Sequence, residues 1–169
     1  MLDSLKTYFP HIEEKACLEY RKDKDFEILD DRRCYIVETN GQFQVINPIE
    51  KTIGFLAVDN CLFDSSQASR ADCIIFDEKV ICFIELKHCK KKNISKSRQK
   101  ANKQLKAIIQ WFQSHIQISN RYEAYICITC TQDDGITMIP KADNIEMQLE
   151  FEEEYNTALF YKCHKEFIQ

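Results

Sequence analysis

The run Val80-Ile81-Cys82-Phe83-Ile84-Glu85-Leu86-Lys87 constrains this chain more than any other segment. In an extended strand successive side chains point to opposite faces, so Ile81, Phe83, Glu85 and Lys87 share one face and Val80, Cys82, Ile84 and Leu86 the other. Both faces are apolar until the last residues. A strand of that kind is central to its sheet and covered on both sides. Its end then carries two opposite charges on a single face, where removing them from water is costly unless they are paired or used.

The preceding apolar run, Ala71-Asp72-Cys73-Ile74-Ile75-Phe76, is separated from this strand by Asp77-Glu78-Lys79, which reads as a hairpin. A turn centred near Glu78 brings Asp72 opposite Glu85 to within one residue of register. Two carboxylates on neighbouring strands are hard oxygen ligands suited to Mg2+ or Mn2+. A lysine two residues beyond the second carboxylate can stabilise negative charge developing during attack on a phosphate.

Charge is segregated along the chain. Residues 86–122 hold ten Lys or Arg and no Asp or Glu, so that stretch carries +10 within a chain of net charge −4, leaving −14 for the rest. Local potential is what a polyanion meets, because distant charges are screened within about 8 Å at physiological salt. Lys90, Lys91, Lys92, Lys96, Arg98, Lys100 and Lys103 are the candidate contacts to nucleic-acid phosphates.

The rest of the pattern predicts the scaffold. Pro10 suits a first helical turn, and a helix is expected over residues 10–22 with Glu19 on its inward face. Residues 23–33 read as a connection. Residues 34–38, 43–46 and 52–63 read as strands, with Asn40-Gly41 as a tight turn between the first two. Residues 64–70 form a polar loop. Ala101, Leu105, Ile108, Ile109, Phe112 and Ile116 recur at helical spacing and predict a long amphipathic helix over 95–118. A strand follows in Tyr122-Glu123-Ala124-Tyr125-Ile126-Cys127-Ile128-Thr129-Cys130, then a turn at 132–135, a short run at 136–140, an acidic region through Glu154 and a last strand at 158–163. At 169 residues a single domain spanning 1–169 is expected.

Asp72, twelve intervening residues, then Glu85-Leu86-Lys87 resembles the PD-(D/E)xK nuclease superfamily, the restriction-endonuclease-like fold. The order of elements over residues 10–130 is similar to its αβββαβ core, a mixed central sheet flanked by helices. The resemblance implies that Asp72, Glu85 and the main-chain carbonyl of Leu86 bind Mg2+ or Mn2+, while Lys87 assists water attack on a phosphodiester. It nominates an acid on the leading helix, Glu19 with Glu13 as second choice, and Gln104 on the helix after the motif. Ala71 stands where many members have proline. The implied activity is hydrolysis of DNA by a metal-dependent nuclease, with the same fold serving as an inactive nucleic-acid-binding or scaffold subunit as the alternative. No helix-turn-helix or zinc finger is recognisable, so specificity is expected from a homodimer or a protein partner, and by analogy the setting is restriction, phage defence or a mobile element.

The nine cysteines are odd in number, and Cys73, Cys82 and Cys127 lie inside apolar runs where Cys acts as a small hydrophobe; a reducing cytoplasm is therefore expected. Cys127 and Cys130 form a CxxC pair, but residues three apart in a strand face opposite ways and cannot share a zinc ion unless a bulge or strand end intervenes. No apolar run approaches the length of a membrane helix, and the first residues lack a signal-peptide pattern.

Overall fold

The computed structural model describes residues 2–63, 70–116, 119–130 and 142–168. In chain order the elements are α1 (Leu2–Tyr8), β1 (Leu18–Arg21), β2 (Asp25–Asp31), β3 (Arg33–Val37), β4 (Phe43–Ile46), β5 (Ile53–Ala57), β6 (Cys73–Phe76), β7 (Val80–Cys89), α2 (Ile94–His115), β8 (Arg121–Cys130), α3 (Ala142–Tyr155), β9 (Thr157–Phe160) and β10 (His164–Glu166). They build an α/β architecture of two mixed sheets flanked by helices.

The main sheet runs β1-β5-β6-β7-β8-β9. Its first four strands pair antiparallel, and β7, β8 and β9 pair parallel. The β6–β7 hairpin closes where Asp77 Oδ1 accepts hydrogen bonds from the backbone N–H groups of Lys79 and Val80, each at 2.8 Å. The β7–β8 pair needs a crossover, and α2 supplies it. Gly54 in β5 lies directly opposite Phe76, whose ring crosses it so closely that a Cβ would sit 2.2 Å from the ring. Only glycine fits there.

The second sheet, β10-β4-β2-β3, covers one face of the main sheet. Its Phe43 ring packs edge-on against Tyr125 of β8 at 5.5 Å, and Lys165 of β10 reaches the buried Glu123 of β8 at 2.6 Å. The opposite face is covered by α2, where Phe112 meets Phe83 edge-on at 5.3 Å. Consequently β7 is buried on both sides from Val80 to Leu86, as its sequence predicts. Among the described residues, every buried apolar residue except Cys130 belongs to one continuous cluster.

Several expectations need correction. No helix spans 10–22: residues 10–16 form successive turns, Ala16 has a positive φ of 48°, and the chain then enters β1. A left-handed residue ends any right-handed helix, and the guanidinium of Arg33 fixes the turn by donating to the carbonyls of Lys15 and Ala16. The acidic stretch read as a connection contains β2. Because β2 lies between β3 and β4 and pairs with both, Asn40-Gly41 is not a hairpin turn but part of a link stepping past β2. Of residues 52–63 only Ile53–Ala57 is a strand. The acidic region is α3, and β10 had no sequence signal. The turn at 132–135 and the run at 136–140 lie outside the described residues, as do positions 64–69 of the polar loop and the last two positions of the expected helix.

The cysteines are not all reduced. Cys17 and Cys61 form a disulfide, and Cys127 pairs with Cys163 rather than sharing a site with Cys130. Among the described residues no helix is long and apolar enough to cross a membrane.

Candidate active site

The hairpin places the motif residues. Cys73 pairs with Ile84, and the backbone N–H of Asp72 donates to the Ile84 carbonyl at 3.1 Å, so Asp72 lies opposite Glu85. By alternation Glu85 and Lys87 share the face of Phe83, which is the face under α2. Beyond the backbone bond at Asp72 its side chain continues the contact with β7. Asp72 Oδ2 accepts the Leu86 N–H at 2.6 Å. In an extended residue N–H and C=O point to the same edge, so the Leu86 carbonyl also points to the edge where Asp72 sits.

Burial makes this arrangement energetically unusual. Glu85 is 0% exposed and Asp72 5% exposed. Lys87 approaches both, ion-paired to Glu85 Oε1 and with its ammonium 3.8 Å from Asp72 Oδ2. The second Glu85 oxygen, Oε2, is buried without a hydrogen-bond partner. Burial pushes the Glu85 carboxyl well above the ordinary range, and the neighbouring Asp72 charge pushes it further. Burial likewise raises Asp72 to about 6, against the opposing pull of Lys87 and the Leu86 N–H. Burial lowers Lys87, but the charges of Glu85 and Asp72 outweigh it and leave the ammonium raised. One lysine serves two carboxylates, so without a further cation one of them, Glu85, is driven to hold its proton.

Two acids that sequence reasoning passed over border the cluster. Asp30, near the end of β2, and Asp59, just beyond β5, both carry negative charge that raises the Asp72 carboxyl. Asp30 itself is raised, first by burial, while Lys87 pulls it down. The Asp59 N–H and the Val58 N–H both approach the Asp72 carbonyl, at 3.3 and 3.0 Å. The available signal was the alternation of Phe26, Ile28 and Asp30, which marks a strand with one end near a polar rim.

The remaining nominated residues divide. Gln104 is buried, and its Nε2 donates to the Arg70 carbonyl at 2.7 Å, two residues before Asp72. It fixes the chain entering the site from the α2 side. Glu19 stands on the edge strand β1, exposed and paired with Arg21 at 2.9 Å. Its register partner Phe55 is three residues from Val58, which lies beside Asp72, so the expected inward acid is absent from the cluster. Glu13 is exposed and paired with Lys6. Lys90, Lys91, Lys92, Lys96, Lys100 and Lys103 are exposed, and Lys100 of α2 is near enough to lower the Glu85 carboxyl. Arg98 departs from that group, because it is buried with its guanidinium 5.6 Å from the Tyr161 ring.

Among the described residues no three His, Cys, Asp or Glu side chains converge as a metal cage. Any cation here would be held by Asp72, Glu85, main-chain oxygen and water. No protein-family profile matches the sequence, and neither the curated proteins nor the solved structures give a match.

Proposed function

We propose that this protein is a metal-dependent nuclease hydrolysing the phosphodiester bonds of DNA, with Asp72, Glu85 and Lys87 at its centre. The observation that carries the reading is the fully buried Glu85, one oxygen without a partner, forced beside a second buried carboxylate at the end of a doubly covered strand. Two such carboxylates cannot both stay charged against one lysine, so one holds a proton unless a further cation joins them. The antiparallel run β5-β6-β7, the crossover α2 and the parallel β8 also support the restriction-endonuclease-like core.

The donor set fits a hard divalent ion. Asp72 and Glu85 supply the carboxylates and Leu86 the edge carbonyl, a partial cage of the kind Mg2+ or Mn2+ completes with water and phosphate oxygens. When bound, the ion supplies Lewis-acid polarisation and a more acidic water. The chain's own residues do the rest. Lys87 stands beside both carboxylates, where its ammonium would face the phosphate and offset the negative charge that develops there. Gln104 holds the backbone before Asp72 in place. The exposed lysines at 90–92, 96, 100 and 103 bind phosphates without reading sequence. Specificity then comes from a second copy or a protein partner.

The test is cleavage of supercoiled and single-stranded circular DNA with Mg2+, Mn2+ or EDTA, comparing wild type with Lys87→Ala. Metal-dependent cutting lost in the variant is expected. Cutting that persists in excess EDTA sinks the metal mechanism, and no cutting by folded wild type in any metal leaves a nucleic-acid-binding subunit as the better reading.

A further inference from the structure

Helix α2 carries a second feature that the cleavage chemistry does not use. Its stretch Ile94–His115 contains no Asp or Glu. At 100° per residue, Lys96, Lys100 and Lys103 lie on the same side as Trp111 and His115, within about 120° of arc. The lysine end adjoins the carboxylates: Gln104, one turn on from Lys100, bonds the Arg70 carbonyl two residues before Asp72, and Lys100 favours the charged form of Glu85. The other end is aromatic. The His115 imidazole stacks on the Trp111 indole with centroids 4.6 Å apart and planes 8° from parallel, and His115 Nδ1 lies 2.8 Å from the Trp111 carbonyl. Tyr8 of α1 stands edge-on to both rings, at 5.6 and 5.3 Å.

Packing alone does not account for this group. Phe9, Phe63 and Phe112 already brace Trp111 from within. Yet His115 is exposed and Tyr8 is 48% exposed, so two braced flat rings are presented to solvent. Rigid aromatic faces beside a lysine track are the chemistry that holds unpaired bases, because every base has a π-face and every linkage a phosphate. Bases in a duplex are already stacked and offer neither face to such a surface.

We propose that His115, backed by Trp111 and walled by Tyr8, is a base-stacking platform, and that the chain acts on single-stranded nucleic acid or single-stranded ends. The substrate term rests on the nuclease reading; the platform does not. His115 lies fifteen positions beyond Lys100 on α2, about 22 Å of helix. That distance corresponds to about six or seven stacked nucleotides at ~3.4 Å each, so the anchored base lies about six or seven nucleotides from the phosphate at the carboxylates.

Trp111 is the only tryptophan and reports on its own surface. The experiment titrates the full chain in EDTA with thymidine oligonucleotides of three and twelve residues and with a twelve-pair duplex, reading tryptophan emission and affinity. Expected are quenching by the twelve-mer, little quenching by the duplex, and at least about tenfold weaker binding of the three-mer. His115→Ala, an exposed change whose folding is checked by circular dichroism, weakens the twelve-mer by about tenfold. Lys100→Ala weakens it with a shallower salt dependence while leaving the quench at saturation. Equal quenching by duplex, no quenching at all, or unchanged affinity in His115→Ala overturns the proposal. Because no metal is present, quenching without any cleavage in Mg2+ or Mn2+ would refute the nuclease reading alone, and duplex cleavage without quenching would refute the platform alone.

Discussion

Asp72→Asn in metal-free protein tests the electrostatic argument directly. The Asp72 carboxyl, ordinarily near 3.8, is raised to about 6 by burial. The unfolded chain therefore loses this proton well before the folded protein does. Between pH 4 and 6 the folded state holds more protons, so stability falls as pH rises, and the full penalty is present at neutral pH. A difference of about 2 units at 1.36 kcal/mol each gives about 3 kcal/mol, an order-of-magnitude figure. Asparagine cannot ionise, and its amide oxygen can still accept the Leu86 N–H. Thermal or urea unfolding in EDTA is expected to show wild type and variant diverging by about 3 kcal/mol from pH 4 to pH 7.5, with wild type losing ground. At 2–4 °C per kcal/mol for a chain of this size, the melting points separate by about 6–12 °C. Saturating Mn2+ at pH 7.5 then raises the wild type and leaves the variant nearly unmoved. Parallel pH profiles would refute the claim that the site stores an unbalanced carboxylate.

Two further changes probe the placement of residues. Glu19→Ala removes only an exposed ion pair with Arg21, so stability shifts by no more than about 0.5 kcal/mol and nuclease activity stays unchanged; a hundredfold loss of cleavage would return Glu19 to the site. Cys17→Ser with Cys61→Ser opens a link between residues 44 apart, and the chain-entropy relation puts its cost at about 4 kcal/mol. A urea midpoint that does not move, compared with untreated protein, would show the link contributes nothing.

What the sequence made legible follows from how local each feature is. The hairpin of β6 and β7 declares itself because period-2 alternation, a short polar turn and apolar character on both faces all act over neighbouring residues. Helix α2 does so through its 3.6 periodicity. The turn alone put Asp72 opposite Glu85 only to within one residue; the exact register comes from the hydrogen bonds of Asp77 that close the hairpin at Lys79 and Val80. The second sheet was largely hidden, since β2 pairs with β3 and β4 and places Asp30 at the site rim from within an acidic stretch that resembles a loop. The expected leading helix failed because Ala16 and its contact with Arg33, seventeen residues away, override a plausible helical start. Gln104 was reached only through the resemblance; its contact with the chain entering β6, at the Arg70 carbonyl, joins residues 34 apart and leaves no local signal. The disulfides join segments that no spacing rule relates.

The Asp72, Glu85 and Lys87 group lies within a single hairpin, and that locality bears on how the protein acquires its site. Closing a short turn carries little entropy cost and takes microseconds, whereas pairing β7 with β8 waits for the whole crossover helix. The carboxylates are therefore expected to meet early, while still hydrated, and to lose their water only when α2 settles over them. The energetic burden of the site falls on the docking of α2, so Mn2+ should speed that late step in refolding traces and leave hairpin closure alone; acceleration of the earliest phase instead would contradict this order of events.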